Sequence, residues 1–195
     1  MKLTALILST CFCMVITKTT LAQNDYIVTL KNDTLKGEIT KSFFGNHRFK
    51  QQDQSKRITI TEKNTKRYYI SSDKEKPQTF EARVLPKKSK PVFLELHEQG
   101  EIQLYELINN APTQNGGSIT TTSWYASKGN GPLFSIKTSG LSFSRADKEN
   151  SFEQLLGDNT ALWANFKAEK SFSFKVLRKY INLYNQEKLK TTTSK

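Results

Sequence analysis

The hydrophobic period of this chain changes once, and that change constrains the fold more than any other feature of the sequence. From Tyr26 to about Arg145, short apolar segments alternate with polar residues and are separated by turn residues, as in antiparallel strands. From Lys148 onward, apolar residues recur every three to four positions, which is the period of an amphipathic helix. The pattern therefore predicts an α+β fold: an antiparallel sheet, small barrel or sandwich over about residues 25–145, followed by two or three short C-terminal helices.

Within the β region, turn residues between alternating segments predict four hairpins and one isolated short strand. The stretch 109–122 is rich in Asn, Gly, Ser and Thr and predicts a mobile loop. The predicted hairpins join 26–30 to 34–39, 58–61 to 67–70, 92–96 to 102–107, and 123–126 to 133–137, and the short strand covers 80–85.

The C-terminal region predicts short helices with identifiable ends. Phe152, Leu155 and Leu156 share one face of a helix that is expected to end at Gly157. Asp158 is the expected cap of the next helix. Residues 148–187 are therefore expected to be helical and residues 188–195 to form a polar, disordered tail. We expect residues 23–187 to form a single domain, because no composition shift marks a linker.

The N-terminal 22 residues have the features of a cleavable export signal. Lys2 precedes an apolar run over 3–17, and Thr20-Leu21-Ala22 places small residues at the −3 and −1 positions of a cut between Ala22 and Gln23. The prediction is an exported protein of the periplasm, the extracellular space or the outer membrane surface, with no membrane span after cleavage. Three alternatives remain open: an uncleaved anchor, lipidation at Cys11, and a buried N-terminal helix.

Composition excludes several classes of protein. The two cysteines, Cys11 and Cys13, both lie in the signal, so the mature chain would contain none. Disulfide scaffolds, Cys/His zinc sites and iron–sulfur clusters are thereby excluded. The chain carries 30 Lys+Arg against 18 Asp+Glu, a formal net charge of +12, which favours association with anionic partners.

No catalytic motif is present, and the sequence predicts a protein without enzymatic activity, cofactor or metal. A Ser-His-Asp arrangement would need His47 or His97, and neither G-x-S-x-G nor a phosphate-binding glycine loop occurs. The leading hypothesis is an exported protein that binds a protein partner or an anionic envelope polymer or lipid surface. Two alternatives are a small hydrolase with an unorthodox site near His47 or His97, and an assembly factor for an outer-membrane complex.

Two groups of cations are the candidate partner surface. Lys87, Lys88 and Lys90 form the densest cluster, and Lys175, Arg178 and Lys179 flank the aromatic stripe of the last helix. Nucleic acid is not the expected partner, because lysine, which supplies most of the positive charge, is less suited than arginine to bidentate recognition of phosphates and bases.

Three segments carry a resemblance to a known family: "DYIVTLKNDTLKGEI", "FLELHEQGEIQLYEL" and "SFSFKVLRKYINLYNQ". They resemble an uncharacterised family of exported proteins from Bacteroidetes-type bacteria, whose members begin with a "YIVTLKGDTLxGKI" hairpin and end in a helical pair closing on "YN". The resemblance covers most of residues 25–185, with Asn32 where the family often has Gly. It implies envelope localisation and the β-then-α order, and it supplies no catalytic residue.

Overall fold

A computed structural model of the chain describes residues 24–42, 46–71, 76–113, 115–140 and 144–193. The predicted signal and its cleavage site lie outside these ranges. Within the described ranges, ten strands are followed by three helices. The strands are β1 Asp25–Thr29, β2 Thr34–Thr40, β3 Arg48–Gln51, β4 Arg57–Thr59, β5 Thr65–Ile70, β6 Gln78–Val84, β7 Pro91–Glu98, β8 Ile102–Pro112, β9 Ser118–Lys128 and β10 Phe134–Thr138. The helices are α1 Arg145–Leu156, α2 Thr160–Lys167 and α3 Phe174–Thr193.

All ten strands belong to one open antiparallel sheet in the order β10-β9-β8-β7-β6-β5-β1-β2-β3-β4. The α+β prediction is confirmed, with an open sheet and three helices. The helices pack mainly on β8, β9 and β10, at one end of the sheet. Among the described residues, none of the helices combines the length and the apolar composition needed to cross a bilayer.

Strand pairing agrees with three of the four predicted hairpins. β1 pairs β2, β7 pairs β8, and β9 pairs β10. The second predicted hairpin is wrong, because β4 pairs β3 and β5 pairs β1 and β6. β3 was not predicted, since Phe49 is the single apolar residue among its four. The strand over 80–85 corresponds to β6.

The two ends of the sheet bury separate apolar clusters. At the helix end, Ile102, Leu104 and Ala126 from the sheet pack with Leu177 and Ile181 of α3 and with side chains of the other helices. At the other end, the strands form a cluster of their own, whose buried members are Ile27, Ile39, Phe49, Ile60, Tyr68 and Ile70. The β1–β5 end thus buries its apolar side chains largely without help from the helices.

Two stretches predicted to lack regular structure are regular. Residues 188–193 continue α3, where Lys188 lies 3.2 Å from Asp158 and Thr191 donates to the carbonyl oxygen of Glu187. The loop predicted over 109–122 is largely the far end of the β8–β9 hairpin, whose ladder runs from Ile102↔Lys128 to Pro112↔Ser118. Backbone pairing forms this ribbon without a buried face, which is why its side chains gave no alternation signal.

Each helix begins with a side-chain cap, and the cap predicted for α2 is wrong. Ser144 forms a capping box with Asp147 at the start of α1, and Ser173 accepts from the N–H of Val176 at the start of α3. The cap of α2 is Asn159, not Asp158, and it accepts from the N–H of Leu162 at 3.0 Å. Asp158 instead binds Lys128 at 2.7 Å and the Tyr184 hydroxyl at 2.7 Å, which ties β9 to α3.

Candidate functional site

Five cations lie on one face of the β1–β5 end of the sheet. Residues directly opposite each other in an antiparallel ladder share a face. Lys50 is opposite both Glu38 of β2 and Arg57 of β4, so the side chains of these strands alternate in step. Following the ladder onward through β2, β1 and β5 defines what we call the cationic face: Lys36, Arg48, Lys50, Arg57 and Arg67.

The cationic face is open to solvent because the alternating residues point to the other side. Phe49, between Arg48 and Lys50, is 1% exposed, and Ile39 of β2 is 7% exposed. Lys36, Arg48 and Arg57 are exposed, and the five strands span about 19 Å at ordinary strand spacing. Period-2 alternation therefore places a broad polar surface over a buried apolar one.

A stacked pair of tyrosines lies on this face. Tyr26 of β1 is opposite Tyr69 of β5 and also opposite Lys36 of β2. The two tyrosine rings are 5.2 Å apart between centroids and 13° from parallel, and both residues remain partly exposed. The pair offers a flat apolar surface next to positive charge.

Arg67, a member of the cationic face, forms an ion pair with a buried carboxylate. It forms an ion pair with Glu81, whose other oxygen accepts the Tyr105 hydroxyl at 2.7 Å. Burial and this hydrogen bond raise the pKa of Tyr105, so its hydroxyl remains a donor at neutral pH. Within the described residues of β1 to β6, Glu81 and the exposed Glu38 are the carboxylates on this face, and its five cations outnumber them.

The six cations proposed from sequence do not form one surface. Lys87, Lys88 and Lys90 lie between β6 and β7, at the Pro91 end of β7. Arg178 binds Glu98 at the other end of β7, about 23 Å away at 3.3 Å per residue. Lys179 binds Glu169 at 3.2 Å, and Lys175 is exposed on α3. The structure therefore separates the two predicted groups.

Sequence reasoning missed the cationic face because its members are scattered along the chain. They lie between positions 36 and 67 and never form a run of adjacent charges. The available signal was the alternation Arg48-Phe49-Lys50, which places two cations on one side of a strand. Placing Arg67 beside them required the β1–β5 pairing.

Each of the two histidines has a polar neighbour. The His47 Nδ1 is 3.3 Å from the Tyr68 hydroxyl, and the His97 Nε2 is 2.5 Å from a Glu106 carboxylate oxygen. Burial, followed by the charge of Lys41, lowers the pKa of His47, so its ring is neutral at pH 7.

His47 lines a cleft of about 420 Å³ with Ile60, Glu62, Tyr68 and Phe93 among its walls. The described residues that line it include no serine, threonine or cysteine. The hydroxyl beside the His47 ring in this cleft is that of Tyr68. Within the described ranges, no group of three or more His, Cys, Asp or Glu side chains is arranged to hold a metal ion.

Comparisons with protein-family models, with curated proteins and with solved structures found no match.

Proposed function

We propose that this chain is an exported, non-enzymatic envelope protein that binds an anionic envelope polymer or lipid surface through its cationic face. The observation that carries the proposal is the register that aligns Lys36, Arg48, Lys50, Arg57 and Arg67 on one open face. The export signal predicted for residues 1–22 supports the envelope as the place where the partner is met.

The chemistry of the face favours phosphate or carboxylate groups that repeat along an extended or planar partner. Cations spread over about 19 Å contact several anionic groups at once, and the attraction grows with their number. The Tyr26–Tyr69 pair adds a flat apolar surface on which a sugar ring or an acyl-chain boundary can lie. A protein partner would favour a more apolar surface with fewer charges.

Neutralising three cations of the face should abolish most envelope binding. In the face variant, Lys36→Gln, Lys50→Gln and Arg57→Gln remove charges whose side chains form no ion pair in the described part of the chain. Each cation at an anionic surface contributes about 1 kcal/mol, so the dissociation constant should rise roughly 100-fold. Co-sedimentation of the purified, exported protein with isolated envelopes at about 50 mM salt measures this.

A matched control removes the same charge elsewhere. The loop variant carries Lys87→Gln, Lys88→Gln and Lys90→Gln, three exposed lysines in the loop between β6 and β7, outside the cationic face. We expect its binding to change by less than about threefold, because only the general net charge is reduced. Equal losses in both variants, or a loss confined to the loop variant, would refute the cationic face as the binding site.

A further inference from the structure

The cleft at His47 is a consequence of two strands that separate. β7 and β8 are paired from Glu95↔Glu106 to Glu98↔Leu104, while β7 begins at Pro91 and β8 continues to Pro112. Between Pro91 and Leu94, β7 pairs with β6 and not with β8, so β7 and β8 diverge and leave a gap. Val92 and Phe93 line one side of this gap, and Ile108 lines the other.

The walls of the cleft are aromatic. Tyr68 and Phe93 are 4.9 Å apart between ring centroids and meet edge to face, and Phe80 stacks on Tyr68 at 4.7 Å. The His47 ring is 5.6 Å from Tyr68. Aromatic faces carry partial negative charge and attract organic cations, most strongly where water is partly excluded.

The charge of the cleft is opposite to that of the protein as a whole. Glu62 lines the cleft and forms no hydrogen bond or ion pair with any described residue. Burial, and then the charges of Glu62 and Glu95, raise the pKa of Tyr68. The positive charge of Lys41 lies near His47, whose lowered pKa leaves the ring without a positive charge of its own.

We infer that this cleft binds an organic cation, namely a protonated amine on an apolar stem, with the ammonium at Glu62 and the stem against Val92, Phe93 and Ile108. A volume of about 420 Å³ is in the range of small-ligand sites, which combine apolar walls with a few polar groups. The site is separate from the cationic face and independent of the proposed envelope binding.

Calorimetry with matched probes tests the inference on the purified, exported protein. n-Hexylammonium should bind with a dissociation constant on the order of 1 mM. Hexan-1-ol has the same stem without charge and should bind about tenfold more weakly, while hexanoate should show no binding, because Glu62 repels it. Equal affinity for hexylammonium and hexanol would overturn the inference, as would no hexylammonium binding at about 20 mM.

Two variants locate the cation. Glu62→Gln keeps the shape of the side chain and should weaken hexylammonium binding about tenfold while hexanol binding is unchanged. Glu153→Gln removes an exposed carboxylate on α1 and should change neither. Hexylammonium binding that is unaffected by Glu62→Gln, or equally weakened by Glu153→Gln, would contradict the assignment.

A further binding experiment distinguishes a free amine from the lysine side chain of a peptide as the ligand. The capped tripeptide acetyl-Val-Lys-Val-amide presents a lysine side chain on an extended backbone, which could also pair with the free edge of β8 beyond Glu106. Tighter binding of this peptide than of hexylammonium would identify a strand-borne lysine as the ligand. Weaker binding of the peptide would identify a free amine as the ligand. In either case, Glu62→Gln should weaken binding of the tighter ligand about tenfold.

Discussion

Phe166→Ala should lower the free energy of unfolding by about 3–5 kcal/mol, the largest effect expected of a single substitution in this chain. Phe166 is fully buried at the centre of the helix cluster. Its ring stacks on Phe152 at 4.6 Å, lies 4.8 Å from Phe172 and meets Tyr180 edge to face at 5.2 Å. Truncation removes these contacts and leaves a cavity between three helix segments that are held by other side chains.

Urea denaturation followed by circular dichroism measures the change, and Leu189→Ala provides the control. Leu189 is also a large apolar residue in the helical region, but it is 66% exposed, so its truncation should cost less than about 0.5 kcal/mol. A Phe166→Ala cost below about 1 kcal/mol would show that the helices do not pack as described.

Asn185→Ala should cost about 2–4 kcal/mol, because it leaves two buried backbone groups without partners. The Asn185 Oδ1 accepts from the Ile102 N–H at 2.8 Å, and its Nδ2 donates to the Ile102 carbonyl at 2.8 Å. The side chain thus pairs with the first residue of β8 as a neighbouring strand would, and it fixes α3 to the sheet. Gln186→Ala, one position further along α3 and exposed, is the control and should be nearly neutral.

A substitution at Gly100 tests whether the Asn185 amide lies where the structure places it. A Cβ at Gly100 would lie 2.4 Å from the Asn185 Cγ, so Gly100→Ala should displace the amide and break the same hydrogen bonds. In a double-mutant cycle, the cost of Gly100→Ala should fall by more than about 1 kcal/mol when Asn185 is already alanine. Additive costs for the two substitutions would mean that the amide does not occupy this position.

The sequence predicted most of the strands, and it failed where distant pairing decides the outcome. Alternation at Tyr26, Val28 and their neighbours is local, and so is the turn at Asn32, where a positive φ of 68° fits the preference of Asn. The partner of β5 is not local: Tyr69 pairs with Tyr26, with three strands between them in the chain. The second hairpin was wrongly predicted because adjacency in sequence was the only guide to pairing.

The candidate sites depend on this non-local pairing even more than the fold does. The clusters of adjacent lysines visible in the sequence, such as Lys87 and Lys88, lie in the loop between β6 and β7, outside the cationic face. The cleft at His47 exists because β7 and β8 diverge after Glu95, and nothing in the local pattern of either strand indicates where their ladder ends. His47 was singled out from sequence, but its aromatic neighbours and Glu62 were not.

The measurement that tests the central claim most directly is envelope co-sedimentation of the unmodified protein as a function of salt. Between about 50 and 500 mM salt the screening length falls from about 14 Å to about 4 Å, which is much shorter than the width of the cationic face. We expect the protein to pellet with envelopes at the low salt concentration and to remain in solution at the high one. Pelleting that is equal at both concentrations would contradict the account, because it would show that an apolar interface, and not the cationic face, holds the partner.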